Sequence, residues 1–448
     1  MTAVAPASSP SRPATSHARH VALFMLFAIS TINYADRATL SIAGSELSKE
    51  LGLSKIAMGY AFSAFGWAYV IGQIPGGWLL DRFGSKRVYA WSIIAWSVFT
   101  FLQGFIGVFE TATAIVALFA LRFMLGLAEA PSFPGNGRIV AAWFPAAERG
   151  TASAIFNSAQ YFATAMFAPI TGWLTFRFGW PYVFYVMGAL GVVAAFVWMR
   201  TIYSPNDHPR ISAAEFAHIE RGGGLVDMDQ AGRARAAAGR SQTSHLGELL
   251  GNRMLLGVYV GQYCITTLTY FFLTWFPVYL VEQRGMSILK AGVAASLPAI
   301  CGLLGGVLGG VFSDRLLKSG YSLTAARKIP IVLGMLLSTT MIVCNYVDSA
   351  SVVVGIMALA FFGKGIGSLG WAVVSDTSPK QIAGLSGGLF NTFGNTAAIT
   401  TPIVIGYIVQ WTHSFNGALV FVAANAMVAI VSYLVVVGEI KRVELSAA

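Results

Sequence analysis

The sequence predicts an all-α membrane protein of twelve transmembrane helices, arranged as two pseudo-symmetric six-helix halves. Hydrophobic residues make up 56% of the 448 residues, only 11% are charged, and the mean hydropathy is +0.67. A soluble protein usually carries about 25% charged residues. Apolar runs of about 20 residues recur along the chain, and a helix needs that length to cross the hydrocarbon core of a bilayer. Because lipid offers the backbone no hydrogen-bond partners, such runs are expected to be helices.

Twelve spans can be placed on the apolar runs, six before and six after a polar stretch in the middle of the chain. They are predicted at 20–43, 56–80, 87–107, 112–140, 151–174, 181–202, 253–281, 289–316, 329–347, 351–374, 382–409 and 414–438.

The remaining residues form two tails and a linker. The first tail is rich in Pro, Ser and Ala and is expected to be disordered, while the run after it lacks a signal-peptide cleavage site and is expected to stay as the first helix. The central stretch contains two prolines, a glycine triplet and several arginines, which indicates a linker with a short helix near 212–221. The predicted organisation is a tail at 1–19, a first half at 20–202, a linker at 203–250, a second half at 251–438 and a tail at 439–448.

The two halves resemble each other at one fixed offset in the numbering. A Gly-x-x-x-Asp-Arg motif ends at Arg82 and again at Arg315, which is an offset of 233. Asn157 and Asn391 each end a similar stretch that follows a proline, and their offset is 234. Two independent motifs with nearly the same offset predict a duplicated six-helix unit, whose binding site lies between the halves near the middle of the membrane.

Positive charges gather in alternate loops of the predicted topology. By the positive-inside rule, this alternation places both termini in the cytoplasm. The net charge of +10 therefore does not indicate nucleic acid, and the sequence contains no basic stripe interleaved with aromatic residues.

The sequence carries no pattern typical of an enzyme or a metal protein. A Ser/His/Asp set, a His-rich cluster and a phosphate-binding loop are all missing from it, and its six histidines are scattered. Cys264, Cys301 and Cys344 lie within predicted spans without metal or disulfide spacing, so we expect them to be packing residues. We predict that the chain is not an enzyme and has no metal or organic cofactor.

Five charged residues lie inside long apolar runs: Asp36, Arg37, Arg122, Glu129 and Lys364. A charge in hydrocarbon costs about 2.5–3.5 kcal/mol even on the more lenient insertion scale, so it is expected only beside a protein-lined cavity. Two carboxylates and three cations in one cavity would form a path for an anion and for protons. The sequence therefore favours transport.

Four of these groups occur as pairs within single spans. In the first span, Tyr34 lies three residues before Arg37 and shares its helix face, and the arginine offers a planar fork to a carboxylate. In the fourth span, Arg122 and Glu129 are two turns apart on one face, and Gly126 between them is expected to leave room for another group to approach. A carboxyl group buried beside an arginine can take up and release protons. The alternatives are structural: adjacent charges that only tie helices together in the first span, and a static Arg–Glu bridge in the fourth.

The repeated loop motif is expected to act in conformational gating. Gly77 would allow a close helix approach, Asp81 would cap or pair at a helix end, and Arg82 would lie among lipid headgroups, with Asp314 and Arg315 in the second copy. In its full form, Gly-x-x-x-Asp-Arg-x-Gly-x-Lys-Arg, the motif resembles the signature loop of the major facilitator superfamily. That resemblance covers essentially the whole chain and implies the major facilitator fold.

Longer segments resemble the anion:cation symporter family within that superfamily, and more closely its bacterial D-glucarate/galactarate permeases. They include Asn33-Tyr34-x-Asp36-Arg37, Arg122-Phe-Met-Leu-Gly126-Leu-Ala-Glu129 and the segments that begin at Gly72 and at Pro131. The resemblance implies that Asp36 and Glu129 carry protons. It also implies a sugar-acid site lined by Tyr34, Arg37, Tyr69, Arg122, Gln160, Gln262, Trp371 and Asn391. The side-chain amides among them suit substrate hydroxyls, although each taken alone is as consistent with an interhelical hydrogen bond.

Lys364 departs from the pattern that the resemblance implies for carriers of monocarboxylates, in which no cation is expected at this point. The repeat offset of 234 places it opposite residue 130, next to Glu129 in sequence and at a similar depth across the cavity. We predict that Lys364 binds the second carboxylate of a diacid. The alternative is a static partnership with Glu129.

The combined prediction is a secondary active transporter that takes up a sugar diacid, such as D-glucarate or galactarate, in symport with protons by alternating access. Its predicted partners are the sugar-acid anion, protons and the lipid bilayer, without nucleic acid. It is expected to work as a monomer in the inner membrane of a bacterial cell. Two alternatives stay open: an importer of hexonates or other organic anions, and a non-transporting membrane sensor.

Overall fold

The computed structural model describes residues 16–145, 148–227, 229, 246–379 and 383–444, and within these ranges the regular structure is entirely helical. The first half consists of α1 (Ala18–Glu50), α2 (Lys55–Phe83), α3 (Ser85–Gln103), α4 (Thr111–Glu129), α5 (Ser132–Trp143), α6 (Arg149–Phe178) and α7 (Trp180–Thr201), with a short 3₁₀ turn at Ile106–Val108. Two short helices, α8 (Ala213–Arg221) and α9 (Leu246–Gly251), belong to the predicted linker.

The second half repeats the long helices with more interruptions. It consists of α10 (Arg253–Tyr270), a π-helix (Phe271–Trp275), α11 (Phe276–Glu282), α12 (Ile288–Lys318), α13 (Leu323–Ser338), a 3₁₀-helix (Thr339–Tyr346), α14 (Ala350–Ile366), α15 (Gly370–Thr377), α16 (Ala383–Thr412), α17 (Asn416–Val431) and a π-helix (Ser432–Val436).

The predicted spans coincide with these helical segments to within a few residues, with two exceptions: α1 continues seven residues past its predicted end at 43, and α13 begins six residues before its predicted start at 329. Residue 382 lies outside the described residues. Nine of the described segments are long and apolar enough to cross a membrane by length and composition. The long helices α1, α2 and α6 are not among the nine, and they carry several charged and polar residues of the candidate site, including Asp36, Arg37 and Gln160. The all-helical class is thus confirmed, whereas the count of twelve spans stays a prediction.

The internal offset recurs in the local structure of the halves. The side chain of Ser54 accepts a hydrogen bond from the backbone N–H of Ala57 and so caps α2, and Ser287 caps α12 in the same way through Lys290. Such a cap satisfies one of the N–H groups that a helix start leaves unpaired. The two serines are related by the same offset of 233 in the numbering, so the equivalent helices of both halves begin by the same device.

The halves touch closely at the end of the molecule that carries the turns at 51–54 and 283–287, here called the far end. Two glycine pairs form what we call the far-end crossings: Gly59 of α2 against Gly406 of α16, and Gly292 of α12 against Gly172 of α6. A Cβ added to Gly406 would lie 3.3 Å from the Cα of Gly59, and one added to Gly292 would lie 3.3 Å from the Cα of Gly172. The repeat offset relates Gly59 to Gly292 and Gly172 to Gly406, so the crossings are pseudo-symmetric copies of one contact.

An ion pair adds to these contacts between the halves. The Nζ of Lys55 lies 2.6 Å from the Oε1 of Glu282, and the backbone N–H of Lys55 donates to the Oε1 of Gln410 at 2.9 Å. Helix crossings and polar contacts together hold the far end closed in this structure.

Several of the predicted spans are interrupted or change helix type, which the apolar pattern did not indicate. The fourth breaks between α4 and α5 at Pro131, since proline cannot donate the helical hydrogen bond. The tenth breaks between α14 and α15 around Gly367, and the seventh contains the π-helix. Irregular helix geometry within a membrane protein is tolerated where it is buried in protein or lines a cavity, and it often marks a functional site.

The first part of the linker is docked on the first half. Glu215 of α8 accepts hydrogen bonds from the backbone N–H groups of Ala18 and Arg19 at 3.1 Å, and so caps α1. Asp229 accepts from the backbone N–H and the hydroxyl of Ser85 at the start of α3 and also binds Arg138. The helix predicted near 212–221 is present as α8. Of the predicted tail at 1–19, residues 1–15 lie outside the described residues, and α1 already begins at Ala18.

Candidate functional site

The centre of the candidate site is an ion pair between α1 and α4. The Nε of Arg37 donates to the Oε2 of Glu129 at 2.9 Å. The side chains are 5% and 0% exposed, respectively. Both groups of an ion pair this deeply buried are shielded from water. The removal of either charge therefore leaves the other buried without a partner, which is strongly destabilising.

Aromatic rings enclose the guanidinium of Arg37. Its Cζ lies 4.8 Å from the ring centroid of Tyr34, 4.6 Å from that of Phe65 and 4.8 Å from that of Tyr69. Rings at this distance attract a cation through their negative faces. Its Nη2 has no hydrogen-bond partner among the described residues. Arg37 is therefore held in place while part of its donor fork stays available to an anion.

Asp36 and Arg122 are buried with most of their polar atoms unpaired in the described part of the chain. They are 1% and 2% exposed, and both carboxylate oxygens of Asp36 lack a hydrogen bond among the described residues, as do Nε and Nη1 of Arg122. The alternative of a static bridge between Arg122 and Glu129 is wrong for this structure, because Glu129 pairs with Arg37 instead. Buried polar atoms left in this state are unusual in proteins, and each of them requires a physical explanation.

The room that Gly126 leaves is taken by a neighbouring helix. A Cβ at this position would lie 2.4 Å from the backbone oxygen of Phe65 and 3.0 Å from the Cβ of Ala68. The glycine therefore lets α4 pack directly against α2. That close contact helps to bring Phe65 next to the Arg37–Glu129 pair.

A chain of amide and hydroxyl groups connects the two halves. Asn391 of α16 donates to the Oε1 of Gln73 of α2 at 3.4 Å. Asn395 donates to the Oδ1 of Asn391 at 3.1 Å, and the hydroxyl of Tyr270 donates to the Oδ1 of Asn395 at 3.3 Å. These groups can exchange their mutual hydrogen bonds for bonds to substrate hydroxyls.

Gln262 and Trp371 occupy a separate part of the second half. The amide of Gln262 donates to the hydroxyl of Thr266 at 3.2 Å, and the Trp371 ring packs edge-on to Phe390 at 5.0 Å. Trp371 is 48% exposed. Among the described residues, neither makes a hydrogen bond, ion pair or ring contact with Arg37 or Glu129. Their predicted part in substrate binding stays a prediction.

A small cavity of about 30 Å³ lies between the halves next to the ion pair. Tyr34 and Gln160 line it from the first half, as predicted for the site, together with Tyr161. The second half contributes a mainly apolar wall that includes Phe272, Pro298 and Phe361. The contact of Tyr34 with Arg37 connects this cavity to the ion pair.

Lys364 of α14 lies behind one wall of that cavity. It is 4% exposed, and its Nζ donates to the hydroxyl of Tyr161 at 3.3 Å. The alternative of a static partnership with Glu129 is wrong for this structure, since Tyr161 is its polar partner and Glu129 binds Arg37.

The repeated loop motif does not form the expected close contact. Within the described residues, a Cβ on Gly77 or on Gly310 would meet nothing within 4 Å, so the expected close helix approach at Gly77 is wrong for this structure. The close crossings between the halves lie instead at the far end. Arg82 lies over the rings of Trp78 and Phe83, at 5.3 and 5.7 Å.

The second copy of the motif forms an ion-pair network within its own half. Asp314 lies 3.8 Å from Arg327, whose Nε donates to Asp376 at 2.8 Å. Arg315 is exposed. The side chain of Asp81 in the first copy lies outside the described residues. The gating role of both copies stays a prediction.

Metal binding has no candidate ligands in the described part of the chain, where no group of three or more His, Cys, Asp or Glu side chains could hold an ion. The three cysteines are free thiols, and Cys264 and Cys344 are buried.

Sequence reasoning missed four residues of the site: Phe65, Gln73, Tyr161 and Tyr270. Gln73 had a detectable signal, because it is an amide within an apolar run. The three aromatic residues had none, because the sequence contains 31 Phe and 16 Tyr and a ring in an apolar run is ordinarily a packing residue.

Comparison with known proteins assigns the fold and the family. The chain is 68% identical to a probable galactarate/D-glucarate transporter of Bacillus subtilis (strain 168) over 423 residues, which are 94% of this chain and 92% of the relative. It is 63% identical to a probable galactarate/D-glucarate transporter of Escherichia coli (strain K12) over 430 residues, which are 96% of each chain.

A solved structure with a similar fold is that of a bacterial homologue of the human lysosomal transporter Spinster, in an inward-facing and occupied conformation. The TM-score is 0.69 at 14% identity, with coverage of 94% of this chain and 97% of that one. The relatives are named as transporters, which confirms the prediction of a protein that is not an enzyme. Residues 26–399 match the profile of the Major Facilitator Superfamily, and the chain belongs to that family.

Proposed function

We propose that this chain imports a sugar diacid of the galactarate/D-glucarate class together with protons, by alternating access between two six-helix halves. The names of relatives that are 63–68% identical over more than nine-tenths of the chain support the substrate class. The single observation that carries the mechanism is the buried Arg37–Glu129 ion pair beside the cavity between the halves.

The ion pair offers a direct route to coupling. Glu129 occupies the Nε of Arg37, which is also the group best suited to bind a substrate carboxylate. When Glu129 takes up a proton, its charge disappears and the guanidinium is free to bind the substrate. Proton binding and substrate binding then favour each other by the same factor, as linkage requires.

Asp36 is the proposed second proton carrier. Its carboxylate is buried next to the pair and has no hydrogen-bond partner among the described residues. Moving a dianion into a negative-inside cell costs roughly 4.6 kcal/mol per 100 mV, because each charge costs about 2.3. Two protons that enter with the substrate would cancel this electrical work, which favours two carboxyl groups over one.

The closed far end supports an assignment of the conformational cycle. With twelve spans and both termini in the cytoplasm, as we propose, the far end faces away from the cytoplasm. The structure then corresponds to a state sealed to the outside, and the far-end crossings must part for substrate to enter. We further propose that the protein works as a monomer in the bacterial inner membrane.

The proposal is tested by uptake into proteoliposomes that contain the purified protein. Labelled galactarate and D-glucarate are compared with galactonate, and the pH gradient and the membrane potential are imposed separately. We expect the diacids to accumulate when the lumen is alkaline, and unlabelled diacid to compete more strongly than galactonate. Uptake that responds to neither gradient would exclude proton symport, and uptake restricted to monoacids would exclude the diacid.

A further inference from the structure

Lys364 is a buried ammonium group whose polar partner is a neutral hydroxyl. It is 4% exposed, and in the described part of the chain no carboxylate lies within 4.0 Å of its Nζ. Its neighbours are the hydroxyl of Tyr161 at 3.3 Å and the rings of Tyr161 and Phe361, with centroids at 5.3 and 5.2 Å. A lysine has three N–H donors and a full charge, and one neutral hydroxyl compensates only part of its desolvation. Within the described residues, Lys364 is therefore a buried cation without an anionic partner.

The cavity between the halves connects this cation to Arg37. Tyr161, whose hydroxyl accepts a hydrogen bond from Lys364, and Tyr34, which lies against Arg37, line the same small cavity. Thr164 and Thr269 add hydroxyl groups to its lining. An elongated anion that extends from Tyr34 to Tyr161 would therefore have one cation behind each of the two tyrosines and polar groups along its length.

Tyr161 is fixed in place by the helix behind it. A Cβ on Gly302 of α12 would lie 3.0 Å from the ring of Tyr161, and one on Gly306 would lie 4.0 Å from its hydroxyl. The absence of side chains at these two positions gives the ring its space next to α12. Tyr161 can thus hold the ammonium at the cavity wall when no second carboxylate is bound.

We propose that Lys364 binds the second carboxylate of the diacid, with Tyr161 as its partner in the empty protein, and that it thereby selects diacids against monoacids. This inference rests on the proposed function, in which Arg37 takes the first carboxylate. The carboxyl carbons of an extended six-carbon diacid are about six to seven Å apart, from ordinary bond lengths. A monoacid with the same skeleton leaves Lys364 on Tyr161, so its binding gains nothing from the lysine.

The test measures binding of galactarate and galactonate to the purified full-length protein, with thermal unfolding as a check on folding. Lys364→Gln should weaken galactarate binding at least about tenfold, or roughly 1.4 kcal/mol, and change galactonate binding less than about threefold. Lys364→Arg keeps the charge and should retain a preference for the diacid. Equal losses for the two ligands, or no loss for galactarate, would overturn the proposal.

Tyr161→Phe provides a second measurement that does not depend on the folding of the lysine variant. Removal of the hydroxyl takes away the partner of Lys364 in the empty protein only, so the ratio of galactarate affinity to galactonate affinity should rise about threefold or more. An equal shift for both ligands would contradict the proposal. If the wild-type protein does not bind galactarate, the proposed function itself fails. If it binds galactarate but the variants do not change the preference for galactarate over galactonate, only the role of Lys364 is rejected.

Discussion

Replacement of Gly292 by alanine should push the two halves apart at the far end. The added Cβ would lie 2.6 Å from the backbone oxygen of Ala168 and 3.3 Å from the Cα of Gly172. Both are backbone atoms, so no side-chain rotation can relieve the contact. Since ordinary contact begins at 3.4 Å, the helices must separate by about 0.8 Å at this crossing.

The expected effect is a shift from the closed to the open far end. Overpacking of this kind costs about 1–3 kcal/mol, and the closed state alone bears the cost. A value of about 2 kcal/mol would lower the ratio of closed to open molecules roughly thirtyfold. Spin labels on cysteines at Arg177 of α6 and Lys290 of α12, both exposed at the far end, would report the separation by pulsed electron resonance. The three native cysteines are replaced by serine in this background.

Matched variants distinguish a steric clash at the interface from the general effect of an alanine in a helix. Gly77→Ala makes the same change where a Cβ meets nothing within 4 Å among the described residues, and it should leave the distances unchanged. Gly406→Ala, whose Cβ would lie 2.7 Å from the backbone oxygen of Lys55, should reproduce the shift at the other crossing. Wild-type distances in folded Gly292→Ala and Gly406→Ala would refute the idea that these crossings limit closure.

Three further outcomes are expected from the ion pairs. Glu129→Gln should abolish substrate accumulation driven by a pH gradient while counterflow persists, because the amide cannot titrate. If this variant still concentrates substrate, the proton is carried by another group, and Asp36 is the next candidate. Arg37→Lys should bind substrate nearly as poorly as Arg37→Ala in titrations, because a lysine lacks the planar fork, and near-normal affinity would show that charge alone suffices. Lys55→Ala and Glu282→Ala should each raise the fraction of molecules with an open far end by no more than about fivefold, since partly exposed ion pairs contribute about 0–1 kcal/mol. Fully additive effects in the double variant would show that the two side chains are not coupled.

The span pattern could be predicted because the membrane imposes it. A helix that crosses hydrocarbon needs about 20 apolar residues, so composition alone locates most of the segments. The breaks at Pro131 and Gly367 escaped this reasoning, since both residues are also common within continuous transmembrane helices. Whether they interrupt a helix depends on the neighbours that take over the freed backbone groups.

The members of the site could be predicted better than their partnerships. Arg37 and Glu129 were both identifiable as charges in apolar runs, but the sequence indicated Arg122, on the same helix face, as the arginine next to Glu129. That choice depends on how α1 and α4 are rotated towards each other. The packing around Gly126 and Gly77 could not be predicted either, because it depends on helices that are distant in sequence. The backbone of α2 fills the space at Gly126, and the space at Gly77 is open within the described residues.

The structural unit formed by the first half is larger than its six predicted spans. Glu215 satisfies the first N–H groups of α1, and Asp229 binds Ser85 at the start of α3, so residues 203–227 and 229 are attached to that half. If the two halves were expressed as separate polypeptides, division at 203 would leave the start of α1 without its cap. Division after 229 would keep every one of these bonds within a single fragment, and it is the site at which we expect the two fragments to reassemble.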